Sequence, residues 1–295
     1  MLAKSYDGKF FEKVPVGLGQ WKINGLRCFI TAKRAEGDLF HQYKLIFQSR
    51  EGEFWNSLHY LEDYLLQAIP EDLINEMCDN GWALDGEVYL PGHDINEINH
   101  FVKTPTCQEN KLLQFWCYDI AIDNMSQTLR DTTRNKYLFD YTKKFVDYQE
   151  HLSNEDQLIN LPSIEIVNNA DAIAYRNDFI NLGFEGLILR NPNSEYEYGR
   201  RRVKVMEKFK DVTDGVFEIL DINKEQKRNL PIFTCRNDIN NATFDCKING
   251  SFRLQEEILE NKELYIGKKL YITFGERSGV NRVPFHLKKV VLHLE

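Results

Sequence analysis

The sequence predicts an α+β chain built from two domains, and three observations predict it. A length of 295 residues, with 42% apolar and 28% charged residues, is globular and long enough for two cores. Up to residue 211, strand-like runs are interleaved with segments whose apolar residues recur at helical spacing. The stretch beyond holds short, turn-bounded strands and one helix-like segment, which suits a small Greek-key barrel such as an OB-fold. The expected domains are therefore 1–211 and 212–295.

Taken in order, residues 21–31 read as a turn entering a strand. Leu58 to Met77 carries Leu61, Leu65, Ile69, Leu73 and Met77 at helical spacing and reads as one helix. Val88, Tyr89 and Leu90 follow a turn-forming Asp85-Gly86 pair and read as a strand, as does the aromatic-rich run Leu112 to Ile122. Arg130 to Tyr148 reads as a helix. Ala170 to Leu182 reads as another, stopped by Gly183 ahead of a short strand at Gly186 to Arg190. In the second domain the expected strands are Val216–Ile222, Phe233–Arg236, Thr243–Lys247 and Leu270–Phe274, with a helix at Gln255–Glu263.

Composition narrows the function classes. No run approaches the ~18 apolar residues of a membrane helix. The N-terminus lacks the apolar stretch of a signal peptide, so a cytoplasmic protein is expected. Six scattered cysteines without a Cys-x-x-Cys pair point to reduced thiols rather than disulfides or zinc. The net charge of −8 is unevenly placed: residues 213–295 carry 13 Lys+Arg against 12 Asp+Glu, and the remainder carries −9. Phosphate contacts depend on local patches rather than on total charge, and the densest patch runs from Arg200 to Lys204 and on to Lys208 and Lys210.

Five short segments carry the chemistry: Lys22–Arg27 (Lys-Ile-Asn-Gly-Leu-Arg), Ser49–Gly52 (Ser-Arg-Glu-Gly), Leu84–Val88 (Leu-Asp-Gly-Glu-Val), Glu185–Arg190 (Glu-Gly-Leu-Ile-Leu-Arg) and Lys208–Lys210 (Lys-Phe-Lys). They supply a lysine nucleophile, three arginines, two carboxylates able to hold a metal, and two further basic residues. A lysine attacks phosphorus only as the free amine, which calls for burial or neighbouring cations. The Lys-x-x-Gly turn suits such a residue, its glycine letting a backbone approach a triphosphate closely. Lys-Ile-Asn-Gly recurs at Lys247, but no arginine stands two residues after its glycine, as Arg27 does after Gly25, and none of the other segments follow it, so it reads as a strand end and hairpin turn.

The order and spacing of the five segments resemble those of the ATP-dependent DNA ligases of small phage or viral type, within the covalent nucleotidyltransferases. The resemblance spans nearly the whole chain, tightly at the segments and loosely over 125–180 and 223–265. It implies an adenylation domain with antiparallel sheets followed by an OB-fold. It further implies that Lys22 becomes a lysyl-AMP, with Arg27 at the family's arginine position and Gln20 reading adenine. Arg50 would hold the nucleotide phosphate and the nick 5′-phosphate. Tyr118 would stack on the adenine, Glu87 would serve the metal and ribose, and Glu185 would help hold Mg2+ or Mn2+. Lys208 and Lys210 would contact the phosphates. The implied substrates are ATP and nicked duplex DNA, handled by a monomer in the cytoplasm, that of the host if the source is a phage.

One position departs from the pattern: Asn24 stands where most of the family has Asp. That substitution bears on rate and metal preference, and it keeps open an inactive pseudo-ligase that binds nicks or ends without joining them. An ATP-dependent RNA ligase, which uses the same three steps, is the other alternative.

Overall fold

The computed structural model describes residues 2–35, 42–142, 156–199, 202–226, 228 and 230–293. It divides into two compact units, Met1–Lys210 and Asp211–Glu295.

The first unit is built on two five-stranded sheets. One has the order β1 (Leu2–Ser5), β10 (Arg202–Lys210), β9 (Gly186–Arg190), β2 (Gly17–Trp21), β8 (Ile164–Ile166). The other has the order β4 (Tyr43–Ser49), β3 (Leu26–Arg34), β5 (Ala83–Tyr89), β6 (Gln114–Ala121), β7 (Leu158–Asn160). Pairing is antiparallel except at β1–β10 and β6–β7. Leu187, Leu189, Cys28, Ile30, Val88 and Phe115, drawn from both sheets, are buried in a single core. In β4, where Tyr43, Leu45 and Phe47 are buried alternately, a slip by one would turn that apolar set to water, while β5 and β6 are buried along nearly their whole length. No described helix is long and apolar enough to cross a membrane.

Four expected elements differ from the structure. The stretch Leu58–Met77 is two helices, α1 (His59–Ala68) and α2 (Glu71–Asp79). Pro70 separates them: a residue before proline is pushed out of the helical region, and Ile69 has φ −78° and ψ 126°. The apolar spacing continues across the break because both helices pack on the same core. Asp85-Gly86 is not a turn but the middle of β5. A Cβ on Gly86 would lie 2.4 Å from the Trp116 carbonyl oxygen and 2.6 Å from the Phe115 ring, so glycine lets β6 pass close, at a point where the pairing register shifts.

The helix expected at Arg130–Tyr148 covers Gln127–Leu138, and 143–148 lie outside the described residues. Its buried face is Gln127, Arg130, Asp131, Arg134 and Leu138, polar rather than apolar. The fully buried Asp119 on β6 accepts from Arg130 Nε at 3.0 Å, which is how an arginine tolerates that face. Of the basic patch, Arg200 and Arg201 lie outside the described residues, and the rest is β10, with Val203 and Met206 buried.

In the second unit, β11 (Thr213–Lys224) pairs with both β12 (Pro231–Arg236) and β14 (Lys269–Ser278). The strand order is β13 (Thr243–Cys246), β12, β11, β14, β15 (Val283–Leu292). Asn249, beyond β13, donates its N–H to Val290 O at 2.7 Å and accepts the Val290 N–H on Oδ1 at 2.7 Å. This exchange joins the two edges of the sheet, as a barrel requires. Phe217, Ile219, Phe233, Ile258 and Ile272 fill its core. Lys247 does lie at a strand end, but the turn there leads into the helix Phe252–Glu260 rather than a hairpin.

Gly86→Ala should destabilise the first unit by ~1–3 kcal/mol, the usual cost of overpacking. A lower urea midpoint with an unchanged slope would show it; an unchanged midpoint would mean that β5 and β6 separate freely there.

Candidate active site

Residues of both sheets in the first unit line a cleft of about 390 Å3. Gln20, Lys22, Arg27, Arg50, Glu87, Tyr118 and Lys208 all face it. Of the other two expected site residues, Glu185 pairs with Lys22 and Lys210 pairs with Glu185.

Strand pairing sets the position of Lys22. The β2–β9 register matches Gln20 with Ile188 and Trp21 with Leu187. One step further, the Lys22 N–H donates to Gly186 O at 2.8 Å and the Glu185 N–H donates to Lys22 O at 3.0 Å. Lys22 thus lies against the Glu185–Gly186 peptide, and its ammonium forms an ion pair with Glu185 Oε2. Across the β9–β10 pairing, Lys210 is level with Gly186, and its Nζ donates to Glu185 Oε1 at 2.8 Å. Burial alone would raise the Glu185 pKa, but the two lysines together hold it below its ordinary value.

The glycine of Lys-x-x-Gly has a neighbour that the sequence did not suggest. A Cβ on Gly25 would stand 2.5 Å from Val88 O, so glycine is needed there for the close approach of β5. The Gly25 N–H donates to Glu87 Oε2 at 2.9 Å, fixing that carboxyl beside the lysine turn. Burial pushes the Glu87 pKa up to about 7; Lys22 opposes the rise and Glu185 adds to it. Asn24 is half-buried and does not line the cleft.

Arg27 is committed to a partner that the sequence reading gave no role. Its Nε donates to Asp85 Oδ1 at 2.9 Å and its Nη2 to Oδ2 at 2.7 Å, the two-point geometry a guanidinium offers a carboxylate. The Tyr118 and Tyr196 hydroxyls donate to the same carboxylate at 3.2 and 2.7 Å. Asp85 is only 1% exposed; burial would raise its pKa, but Arg27 and Tyr196 hold it below the ordinary value.

At the other end of the cleft Gln20 is buried, its Nε2 donating to Tyr118 O at 2.9 Å and its Oε1 accepting from Arg190 Nε at 2.9 Å. The Arg190 guanidinium lies over the Tyr118 ring, 5.2 Å from its centroid. Arg50 is exposed at the rim, 3.1 Å from Glu51. Sequence reasoning missed Arg190, Tyr196 and the wall formed by Leu2 and Ala3 of β1. Arg190 stood in a quoted segment as a basic residue without a role. Tyr196 follows turn-forming Asn-Pro-Asn-Ser and gave no signal.

The carboxylates fit a hard divalent cation. Among the described residues no group of three or more His, Cys, Asp or Glu could hold a metal ion. Magnesium, however, commonly takes only one or two carboxylates, with water and substrate phosphates completing its shell. Burial first, and the charge of Glu185 with it, raises the Glu87 pKa, so a cation between the two carboxylates would favour the ionised form of Glu87.

Comparison with known proteins agrees with this geometry. A family model described as the ATP dependent DNA ligase domain matches residues 1–210. The DNA ligase of Enterobacteria phage T4 is 24% identical over 316 aligned residues, covering 92% of this chain and 62% of that protein. The DNA ligase of African swine fever virus (isolate Warthog/Namibia/Wart80/1980) is 23% identical over 303, covering 95% and 64%. The chain therefore spans less than two thirds of the length of these relatives. The solved structure of the bacteriophage T7 ATP-dependent DNA ligase in complex with ATP is 18% identical, covers 99% of this chain and 98% of that one, and has a TM-score of 0.55. The shared fold is a nucleotidyltransferase domain followed by an OB-fold.

Removing Asp85 leaves Arg27 facing a low-dielectric site without its partner, so Asp85→Ala should cost ~3–5 kcal/mol of stability at neutral pH. The folded-state pKa of Asp85 lies below the ordinary ~3.9, so its contribution is complete above that value and lost as pH falls through the folded one. Urea titrations of both proteins should therefore converge towards acid pH; a gap that stays constant would deny the ion pair its part.

Proposed function

The chain belongs to the ATP-dependent DNA ligase family, and on that footing we propose that it is a ligase that seals 5′-phosphate/3′-hydroxyl nicks in duplex DNA, using ATP. The observation that carries this reading is Lys22 at a cleft large enough for a nucleotide, hydrogen-bonded through its backbone to Glu185 and surrounded by Arg27, Arg50 and Lys208.

In the proposed sequence Lys22 Nζ, as the free amine, attacks the α-phosphorus of ATP. A nitrogen–phosphorus bond forms, the bond to the β-phosphate oxygen breaks, and pyrophosphate leaves. The 5′-phosphate of the nick then takes the AMP, releasing the Lys22 amine. The 3′-hydroxyl attacks that 5′-phosphorus, closing the strand and expelling AMP. Tyr118 offers a ring face to the adenine and Gln20 its carboxamide. Arg27, Arg50, Lys208 and Lys210 offset the phosphate charge that builds up in each transfer. Glu87 and Glu185 would hold Mg2+ or Mn2+, which would supply charge neutralisation at the phosphates. Unit 211–295 serves as the OB-fold that clamps backbone phosphates of the duplex without reading bases.

The direct test is sealing of a nicked duplex with ATP and Mg2+, compared with NAD and with a nicked RNA hybrid. Sealing should require ATP and favour DNA; preference for the RNA hybrid would favour the RNA-ligase alternative, and no sealing of either the pseudo-ligase.

Glu185→Ala should lower the sealing rate by ~10²–10³, the usual loss when a preorganised electrostatic group is removed. Wild-type activity should vanish in excess EDTA and return with Mg2+. Undiminished sealing in EDTA would exclude a role for the two carboxylates as metal ligands.

A further inference from the structure

β1 is a weakly anchored strand and at the same time one wall of the cleft. It lies at a sheet edge, is four residues long, and buries none of them. Apolar burial therefore does little to fix its register on β10. The pairing also jumps: Ala3 is level with Val203, but the next residue, Lys4, is level with Glu207. β10 itself is set independently by β9, with Met206 opposite Arg190 and Lys210 opposite Gly186. Yet Leu2 and Ala3 line the cleft, together with Ile188 of β9 and Met206 of β10.

Charge holds β1 at the jump. Lys4 Nζ lies 2.8 Å from Glu207 Oε1; the lysine side chain is 35% exposed, whereas Glu207 is 2% exposed. Glu207 Oε2 is buried and, among the described residues, has no hydrogen-bond partner. A buried carboxylate needs a partner, so Glu207 depends on Lys4. Lys4 also approaches Asp7, but only at 3.9 Å and on the exposed side. The hydrogen bond to Glu207 is the first cause that raises the Lys4 pKa above its ordinary value. Beyond the jump, the Tyr6 N–H donates to Lys208 O at 3.0 Å, and the Tyr6 ring stacks on Phe209 with 4.2 Å between centroids. Neither Lys4 nor Glu207 lines the cleft.

We propose that the Lys4–Glu207 ion pair is a positioning device for nucleotide binding, locking β1 in the register that makes Leu2 and Ala3 an apolar wall for the nucleoside of ATP. The inference rests on the ligase reading above. The phosphates belong with the cationic residues Lys22, Arg27, Arg50 and Lys208. Leu2, Ala3, Ile188 and Met206 offer nothing to a phosphate and suit the flat apolar face of a base. A slip of β1 by one residue would turn its side chains to the opposite face and separate Lys4 from Glu207. A buried charge pair is satisfied in one register alone, which is the specificity that partly exposed apolar contacts lack.

The test measures covalent uptake of labelled AMP by the full chain over a range of ATP concentrations, with urea unfolding of each protein in parallel. Glu207→Leu leaves no unpaired charge in the interior, and Lys4 is exposed enough to be hydrated, so the fold should be kept. This variant should raise the KM for ATP roughly tenfold, the loss of part of one buried apolar contact. Its maximal rate should stay within about twofold of wild type, because the residues at the phosphorus are untouched. Lys4→Met, which breaks the pair from the exposed side, should give the same shift should Glu207→Leu fail to fold. Lys4→Arg keeps the charge and should behave as wild type. In a Leu2→Ala background Glu207→Leu should raise KM by much less, since the wall it positions is already reduced. A wild-type KM in both pair-breaking variants would overturn the proposal. So would a maximal rate that falls as far as KM rises, or a rise in KM that is the same with and without Leu2; each would leave the pair merely structural and the ligase reading intact. Failure of the wild-type protein to take up AMP would overturn that reading, and the role of the pair with it.

Discussion

The backbone pairing of Lys22 with the Glu185–Gly186 segment is the constraint on which the rest of the site depends. Two backbone hydrogen bonds, from the Lys22 N–H to Gly186 O at 2.8 Å and from the Glu185 N–H to Lys22 O at 3.0 Å, join segments far apart in sequence. They set an amine and a carboxylate side by side at the ends of β2 and β9. The β9–β10 register then brings Lys210 to the same carboxylate. A shift of one residue in either pairing would turn these side chains to the opposite face of the sheet. The apolar residues that fix the register, among them Trp21, Leu187 and Leu189, therefore belong to the chemistry as much as to the core.

A second layer of order comes from buried charge. Asp85 gathers Arg27, Tyr118 and Tyr196 around one carboxylate. Asp119 does the same for Arg130 and Arg190, and Arg190 continues to Gln20 and Tyr118. Charges this deep are tolerable only when paired and hydrogen-bonded. Each pairing also holds a ring or an amide that faces the cleft. The two carboxylates thus orient the ends of the site that would hold a nucleotide, without themselves being expected to touch the reacting phosphorus.

The sequence made the short segments legible because each carries its chemistry within six residues, and their order did the rest. The expected cluster meets in space: seven of its residues line one cleft, Glu185 joins it through Lys22, and Lys210 joins through Glu185. The strand Gly186–Arg190 was readable from its apolar run after Gly183. Non-local pairings were not legible. Nothing in Leu2–Ser5 announces that it pairs with β10, and a run of arginines and lysines looks like surface until a sheet is built on both sides of it. Pro70 was overridden by an apolar spacing that two helices share. Arg130 and Arg134 hid a buried helix face because their partners Asp119 and Cys117 lie on another element. Tyr196 acquires its meaning only from Asp85, 111 residues earlier.

The central claim is that Lys22, and no other lysine, is the residue that takes AMP. Lys247 provides an internal control: it heads the same Lys-Ile-Asn-Gly sequence, yet it lies exposed in the second unit and is paired with Glu225 at 2.7 Å. The decisive measurement is peptide mapping by mass spectrometry after incubation of the protein with ATP and Mg2+. The account predicts one AMP on the peptide containing Lys22 and none on that containing Lys247. AMP on Lys247, or a protein left unmodified, would contradict it.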